Sequence, residues 1–569
     1  MKKIESITSL SGTTRRITGY LFATQNSIIS AAFIIGFTYG ISAILGLVRS
    51  RLLASYFGAS DLLAVFYTAD KIPSFIYTIL VVGTLSTIFI PVFTGLLRED
   101  EDEAWQTASS MLTVSVLFFI IIGLLVFIFS VPLTRLLSLD KFTESQVALG
   151  AQLMRYMLLA QIILVVSSFF TSILQSFKMF LIPAFAPVVY NVGMIMGIIY
   201  LSPKYGILGA AYGVIIGALF HLLLQIPMLS KVNIRYKVSI DLKNYGIRQI
   251  FKLMPPRILG AAITQFIGIV NNSLAILVST SSVVVFKFAG QLQSFPVIMF
   301  GSSIAQASLP TLSYESSLED RTKFKDTFLT TFHQTMFLVM PASIVLLILK
   351  LPAVRLVYGA ASFPWEATVR TSYTLGFFSL SIFAQSGVFL LNRAFYAIKD
   401  TITPVIISIC TIAFSILISI LFVTQLKFGV WAVALSFTLA TFLDLIFLFW
   451  MLNKKLGGFD LERLFLPFIK ISYATLFMGV SLYFPLKLLD YRVIVTDEIP
   501  ELLLVTIISG VFGVASYLLF TRVFRVAEVE LLYKLLTKIK RNLNFKVEAE
   551  LAPPISANMD SIDSDYTSI

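Results

Sequence analysis

The sequence predicts an all-α polytopic membrane protein with about fourteen transmembrane helices. Of its 569 residues, 57% are hydrophobic and only 13% are charged, and a water-soluble protein of this length does not bury so much apolar surface. Apolar stretches follow one another almost end to end, for example residues 28–48, 112–133 and 405–423. Each has roughly the 20 residues that a helix needs to span a bilayer. Because the stretches are continuous and do not alternate with period two, they favour helices over an outer-membrane barrel.

The positive charge of the chain indicates topology and not nucleic-acid binding. The formal net charge is +12, but the basic residues lie between apolar segments and form no basic domain. With the N-terminus placed in the cytoplasm, the inner loops before the last span hold 18 Lys and Arg residues, against 8 to 10 in the outer loops. The positive-inside rule then predicts that both termini are cytosolic. We expect a multi-pass protein of the bacterial cytoplasmic (inner) membrane, in contact with the phospholipid bilayer.

Motifs for catalysis are missing from the sequence. Cys410 is the single cysteine, which excludes disulfides and cysteine metal clusters, and the two histidines, His221 and His333, are far apart. No HExxH, Walker or GxGxxG pattern occurs. We therefore expect a transporter without catalytic residues, metal or cofactor. Since no ATP site is visible, membrane potential or an ion gradient is expected to drive it.

A weak internal repeat relates the two halves of the chain. Residues 83–93 resemble residues 302–312, and Pro187 corresponds to Pro404. Residues 206–229 align without gaps on residues 429–452, which places His221 opposite Asp444. Three pairs in the same order at nearly one offset predict two pseudo-symmetric lobes of six spans each.

These observations predict five segments. Residues 1–27 form a cytosolic N-terminal segment, and residues 28–230 form the first lobe, TM1 to TM6. A basic cytosolic linker and the second lobe, TM7 to TM12, occupy residues 231–455, and two extra helices, TM13 and TM14, occupy residues 456–521. Residues 522–569 are expected to form a cytosolic amphipathic helix, resting on anionic headgroups, and a disordered tail. The acidic residues 98–103 are predicted to form a solvated loop.

Several motifs, in order, resemble those of one family. They are SAILGLVRSRLLASYFGAS (42–60), DKIPSFIY (70–77), FIPVF (89–93), ILQSFKMFLIPAFAPVVYNVGMI (173–195), MPPRILGAAITQFIGIVNN (254–272), AGQLQSFP (289–296), SLPTLS (308–313) and AFYAIKDTITPV (394–405). Their order is similar to that of the MurJ lipid II flippases, within the MOP exporter superfamily. The resemblance covers roughly residues 30–455. It implies two six-helix lobes around a central cavity, with the thirteenth and fourteenth helices forming a groove for a lipid tail.

The resemblance carries over only part of the family's charged residues. The family's LGxxRD signature is similar to LGLVRS here, so Arg49 stands at a family cavity arginine, whereas Ser50 replaces the aspartate. In the family's DRLxEFP motif the arginine is replaced by Gln291. Other family charges are replaced by Ala43, Ala64, Tyr77 and Thr78. These departures put the identity of the transported lipid in question.

Charges inside spans cost about 2.5 to 3.5 kcal/mol on insertion scales, so those that remain usually face a cavity. Arg49 and Arg51 diverge by about 200° on a helix, so only one can face a cavity squarely. Lys287 and Gln291 share a helix face, so the Lys287 ammonium could replace the missing arginine's charge. The predicted substrate-binding residues are Arg49, Arg51, Arg257, Lys287, Asn271 and Gln291.

Four further polar residues are predicted to make ion or polar contacts. Asp70 and Lys71 either touch substrate or neutralise each other before Pro73. His221 and Asp444 form either a proton or sodium site or plain interhelical contacts. Asn271 could likewise serve an interhelical hydrogen bond instead of the substrate.

The leading hypothesis is a flippase for a polyprenyl-pyrophosphate-linked sugar, as the resemblance implies, with lipid II as the expected substrate. A cationic central cavity would be exposed to each side in turn. One alternative is a flippase for another lipid-linked oligosaccharide, of O-unit or teichoic type. Another is a non-transporting membrane scaffold for cell-wall enzymes, and cell-wall synthesis proteins are candidate partners in either case. An open cationic cavity would favour transport, and a collapsed apolar one the scaffold.

Overall fold

Every regular element in the described part of the chain is a helix. The computed structural model describes residues 28–81, 85, 88–232, 234–318, 321–492 and 498–530. The first half of the chain contains α1 (Ile28–Phe57), α2 (Asp61–Ala69), α3 (Lys71–Leu80), α4 (Ile90–Glu99), α5 (Glu101–Ile128), α6 (Ser130–Ser138), α7 (Glu144–Ser176), α8 (Leu181–Met196), α9 (Ser202–Tyr205), α10 (Ile207–Leu223) and α11 (Ile226–Leu229).

The second half begins after an extended linker. It contains α12 (Tyr245–Val278), α13 (Ser282–Pro296), α14 (Ser303–Ser316), α15 (Thr322–Ile348), α16 (Lys350–Tyr358), α17 (Trp365–Ala397), α18 (Ile402–Ile420), α19 (Trp431–Lys455), α20 (Leu461–Arg492) and α21 (Ile499–Val523). No strand occurs in the described ranges.

Twelve helical stretches within the described residues are long and apolar enough to cross a membrane. The first predicted span, residues 28–48, lies within α1, a helix of 30 residues. Between α3 and α4, residues 82–84 and 86–87 lie outside the described part. The prediction of an all-helical polytopic membrane protein is confirmed.

The two halves show related local features. The helices that carry Pro187 and Pro404, α8 and α18, each continue into a π-helical turn, at Gly197–Leu201 and Leu421–Gln425. These turns begin 224 residues apart, close to the repeat offset read from the sequence. His221 and Asp444 lie on the corresponding helices α10 and α19, as the repeat predicts.

Glycines allow α8 and α10 to pack backbone to backbone. A Cβ on Gly197 would lie 2.1 Å from the Gly213 Cα, and one on Gly193 would lie 2.5 Å from the Gly217 Cα. Helices in lipid gain no hydrophobic drive from associating with each other, so close contacts between small residues stabilise their packing. The α8–α10 pair is therefore a rigid support in the first half.

The two last helices pack on the second half. The Tyr517 hydroxyl of α21 donates to the Phe337 carbonyl of α15 over 2.7 Å, and Phe477 of α20 stacks on Phe520 of α21. This position, against one lobe, agrees with the two extra helices of the predicted fold. The division into five segments stays a prediction. Its N-terminal segment, residues 1–27, and most of its amphipathic helix and tail, residues 531–569, lie outside the described residues.

The acidic residues 98–103 form helix ends, so the prediction of a loop was wrong. Asp100 caps α5, because its Oδ1 accepts from the backbone N–H groups of Asp102 and Glu103. Carboxylates are favourable at a helix N-terminus, which explains why the acidic run starts a helix. Arg235 of the linker pairs with Asp102 at 2.9 Å, so this exposed acidic turn also holds the linker between the two halves.

Candidate substrate cavity

A polar cavity of about 430 Å³ lies where the two halves meet. Its charged and amide lining comes from α1 and the α2–α3 junction on one side, and from α12 and α13 on the other. Six of the ten sequence-predicted residues line it: Arg49, Asp70, Lys71, Asn271, Lys287 and Gln291. The sequence analysis therefore identified most of its charged surface.

Arg49 is held at the cavity by a residue of α8. Its Nη1 donates to the Asn191 Oδ1 over 3.0 Å, and the Asn191 amide in turn donates to the Ser42 hydroxyl over 3.1 Å. Asn191 is buried at 6% exposure, so it orients the guanidinium and is not itself part of the surface. Sequence reasoning missed Asn191, although it lies within a stretch that resembles the family.

Arg51 points away from the cavity. Its Nη1 donates to the Leu356 carbonyl over 2.5 Å and to the Val357 carbonyl over 3.3 Å. The geometric expectation that only one of the two arginines faces the cavity is met, and Arg51 instead ties α1 to α16. Arg51, one of the predicted substrate-binding residues, is therefore not part of the described cavity lining.

Asp70 and Lys71 lie at the junction of α2 and α3, and both line the cavity. The Asp70 Oδ2 accepts from the Ser74 hydroxyl over 2.9 Å. Among the described residues, no ion pair within 4 Å joins Asp70 to Lys71. Their mutual neutralisation by direct contact, one of the two predicted alternatives, is therefore not what the side chains show, and both face the same space.

Lys287 and Gln291 lie on the cavity face of α13, one turn apart, as their spacing predicts. The Lys287 Nζ lies 6.0 Å from the centre of the Tyr67 ring, within range of a weak cation–π contact. The Lys287 side chain is exposed although it belongs to a helical stretch that is apolar enough to span a membrane. Because it lines the cavity, the surface it exposes is cavity surface.

Two departures from the family pattern contact each other. The Ser50 hydroxyl donates to the Gln291 Oε1 over 2.8 Å, and the Gln291 Nε2 donates to the Gly46 carbonyl over 3.2 Å. Ser50 stands where the resemblance expects an aspartate, and Gln291 where it expects an arginine. The chain thus has a neutral hydrogen-bonded pair at two positions where the resemblance expects opposite charges.

The neighbouring asparagines divide their roles. Asn271 lines the cavity, while the Asn272 amide donates across the two halves to the Thr68 hydroxyl over 3.1 Å. Arg257 is exposed and is not part of the cavity lining. It precedes Asn271 by 14 residues on α12, which corresponds to about 21 Å along the helix axis. The structure therefore does not bring Arg257 together with Arg49 and Lys287.

His221 and Asp444 also lie outside this cavity. The His221 Nδ1 is 2.6 Å from the Ser167 hydroxyl, and the Gln225 amide donates to the same hydroxyl over 2.8 Å. Asp444 lines a separate cavity of about 300 Å³ among α12, α17, α18 and α19. His221 thus makes an interhelical contact, one of the two predicted alternatives, whereas Asp444 borders a cavity.

Unpaired oxygens mark this second cavity. Asn392, Ser415 and Asp444 each contribute a buried side-chain oxygen without a hydrogen-bond partner. The described residues contain no group of three or more His, Cys, Asp or Glu that could hold a metal ion. A carboxylate, an amide and a hydroxyl oxygen are suitable ligands for a monovalent cation, and the carboxylate can also take up a proton.

Comparison with known protein families identifies the family to which the chain belongs. The family model described as "Lipid II flippase MurJ" matches residues 53–503. The chain belongs to the MurJ lipid II flippase family. This is a family of transporters and not of enzymes, and the resemblance seen in the motifs is confirmed.

Curated relatives and solved structures agree with this assignment. The chain is 28% identical over 505 residues to a "Probable lipid II flippase MurJ" of Buchnera aphidicola subsp. Acyrthosiphon pisum, covering 87% of this chain and 97% of the relative. Its fold matches a solved "Lipid II flippase MurJ, inward closed conformation" with a TM-score of 0.73 at 23% identity, covering 86% and 98% of the two chains.

A more distant solved structure has a similar fold. An inward-facing multidrug resistance MATE family transporter of the MOP superfamily matches with a TM-score of 0.60 at 16% identity, covering 73% of this chain and 94% of that one. At these identities the structural matches show the fold alone. They confirm the MOP flippase architecture predicted from the repeat and the motifs.

Proposed function

We propose that this protein moves a polyprenyl-pyrophosphate-linked sugar, specifically lipid II, from the inner to the outer leaflet of the bacterial cytoplasmic membrane. The observation that carries the proposal is the convergence of Arg49, Lys71 and Lys287 on one cavity between the two halves. Cations are expensive inside a membrane and are retained where they serve a function. A pyrophosphate offers the oxygens that such cations bind.

The placement of the charges suggests how alternating access would work. Arg49 and Lys71 belong to the first half and Lys287 to the second, so an anion bound between them contacts both halves at once. Rocking of one half against the other would then expose the anion to each leaflet in turn. Arg257, on the exposed surface of α12, is positioned outside the cavity and could attract an approaching headgroup.

The residues that line the cavity help to distinguish a transporter from a non-transporting scaffold. A scaffold that had lost transport would be expected to have a collapsed apolar centre, whereas the described lining here includes the charged residues Arg49, Asp70, Lys71 and Lys287. The contact between Ser50 and Gln291 pairs the loss of one family arginine with the loss of a carboxylate. The charged cavity supports transport over a scaffold, and the family assignment supports lipid II over an O-unit or teichoic-type oligosaccharide lipid.

Flipping by the purified protein tests the proposal. In proteoliposomes we expect transport of lipid II and not of a phospholipid, since a glycerophospholipid headgroup has one phosphate and the cavity holds three cations among its described lining residues. A lipid-linked O-unit is the comparison substrate. Faster flipping of the O-unit than of lipid II would favour the alternative substrate, and flipping of neither would contradict the function.

We further propose that transport is coupled to membrane potential or to an ion gradient, and that Asp444 is the coupling residue. A carboxylate oxygen without a hydrogen-bond partner is costly to bury unless a cation or a proton joins it. Asp444→Asn is expected to remove the dependence of flipping on an imposed Na⁺ or H⁺ gradient and to leave lipid II binding unchanged. Asp460→Asn, at an exposed carboxylate, is the control. Gradient dependence retained in Asp444→Asn would place the coupling elsewhere.

A further inference from the structure

One side chain in the proposed anion site, Asp70, carries a negative charge, which is unfavourable for binding an anion. Asp70 lines the cavity beside Arg49, Lys71 and Lys287, so the four charged side chains border the same space. In the described part of the chain it forms no ion pair within 4 Å with any of them. Its carboxylate is therefore placed where it repels the same anion that the cations attract.

The charge of Asp70 is not needed for its hydrogen bond. The Asp70 Oδ2 accepts from the Ser74 hydroxyl over 2.9 Å, and an asparagine amide oxygen could accept from the same hydroxyl. An ionised side chain at this depth is more expensive than a neutral one. A structural role at the α2–α3 junction would be served by the cheaper residue, so the negative charge itself requires a reason.

Release provides that reason. A transporter must let its substrate go on the far side, and three charge-assisted contacts without a competing anion would hold a diphosphate firmly. The three cations and one carboxylate that line the cavity leave a net charge of +2. A diphosphate diester carries two negative charges, one on each phosphate, so the loaded cavity is neutral and contains no excess cation to retain the product.

We propose that Asp70 is a release residue, a fixed internal anion that competes with the diphosphate of the substrate for Lys71, Lys287 and Arg49. It lowers affinity so that the substrate leaves after the halves have moved. This inference rests on the proposed function, since it assumes a diphosphate-linked lipid in this cavity. It adds that Asp70 keeps the affinity of the cavity for the diphosphate-linked lipid below the affinity that the three cations alone would give.

The test separates affinity from turnover. In Asp70→Asn we expect the Kd for lipid II to fall by on the order of tenfold, the effect of about one removed charge in a partly screened site. The maximal flipping rate at saturating lipid II should fall at the same time, because release becomes slower. Dissociation of labelled lipid II from the protein in detergent, measured directly, should slow in the same variant.

Two further variants separate charge from structure. Ser74→Ala removes the hydrogen bond and keeps the charge, so no tightening is expected. Asp61→Asn makes the same chemical change at the exposed first residue of α2, the helix that ends just before Asp70, and should leave both Kd and rate unchanged. An equal or weaker affinity in Asp70→Asn, or tightening in Ser74→Ala as well, would overturn the inference.

Inorganic diphosphate distinguishes this inference from the proposed function. It probes the charge of the cavity without a lipid, and it should compete with lipid II more strongly in Asp70→Asn than in the wild type. If the wild type binds diphosphate but not lipid II, the proposed substrate is wrong while the role of Asp70 is still measured. If the wild type binds lipid II and Asp70→Asn binds diphosphate no better, the inference alone fails.

Discussion

Lys287→Gln is expected to abolish most lipid II transport. Lys287 is the only cation that the second half contributes to the described cavity lining, so its loss removes the electrostatic contact between substrate and that half. A hydrogen bond to a charged group contributes about 1.5 to 3 kcal/mol, which corresponds to roughly tenfold to more than a hundredfold weaker binding. Arg49→Ala should have a similar effect from the first half. Binding and flipping in proteoliposomes measure both.

Controls for this prediction use charges inside and outside the cavity. Lys204→Gln removes an exposed lysine of α9 and should leave transport unchanged. Lys71→Gln should be less harmful than Lys287→Gln, because Arg49 still supplies a cation from the first half, whereas Lys287 is the single cation of the second half in the described lining. The double variant Lys287→Gln with Gln291→Arg returns a cation to the same helix face and should restore transport. Full activity in both Arg49→Ala and Lys287→Gln would contradict the cationic-cavity mechanism.

Local rules predicted much of this site from the sequence. Helical periodicity placed Lys287 and Gln291 on one face and separated Arg49 from Arg51, because these relations depend only on the geometry of one helix. The internal repeat similarly predicted the corresponding positions of His221 and Asp444, which depend on the order of helices. The apolar pattern predicted the helical fold because backbone groups in lipid must be satisfied within the helix.

Contacts between distant elements were beyond such rules. Asn191 orients Arg49 across 142 residues of sequence, and nothing in the pattern around either residue indicates that they meet. Arg257, in contrast, was predicted to bind substrate but lies outside the cavity lining. Its motif resembles the family, but its height along α12 relative to the cavity is set by how the two halves dock. His221 and Asp444 are related by the repeat, yet only Asp444 faces a cavity, because each lobe surrounds its helix with different side chains.

The pair formed by Ser50 and Gln291 leads to the second prediction of large effect. The two residues are 241 positions apart in sequence and belong to opposite halves. Ser50→Asp alone places a carboxylate at a site that is 2% exposed, and an unpaired charge within a membrane costs about 2.5 to 3.5 kcal/mol on insertion scales. We expect a marked loss of thermal stability and of membrane-inserted protein.

Gln291→Arg alone should be tolerated, because its side chain borders the cavity and can extend a cation into it. The double variant Ser50→Asp with Gln291→Arg should regain most of the stability lost in Ser50→Asp. The two positions contact each other directly, and breaking a buried ion pair by removal of one partner costs about 3 to 5 kcal/mol. The measured quantity is the coupling free energy from thermal unfolding of the wild type, the two single variants and the double variant in one detergent.

Ser50→Asn provides the matched control, since it adds nearly the same volume as aspartate without a charge and should cost far less than Ser50→Asp. If Ser50→Asp and the double variant are equally unstable, Ser50 and Gln291 do not contact each other in the folded protein. If they couple as expected, the two departures from the family pattern are one compensated change.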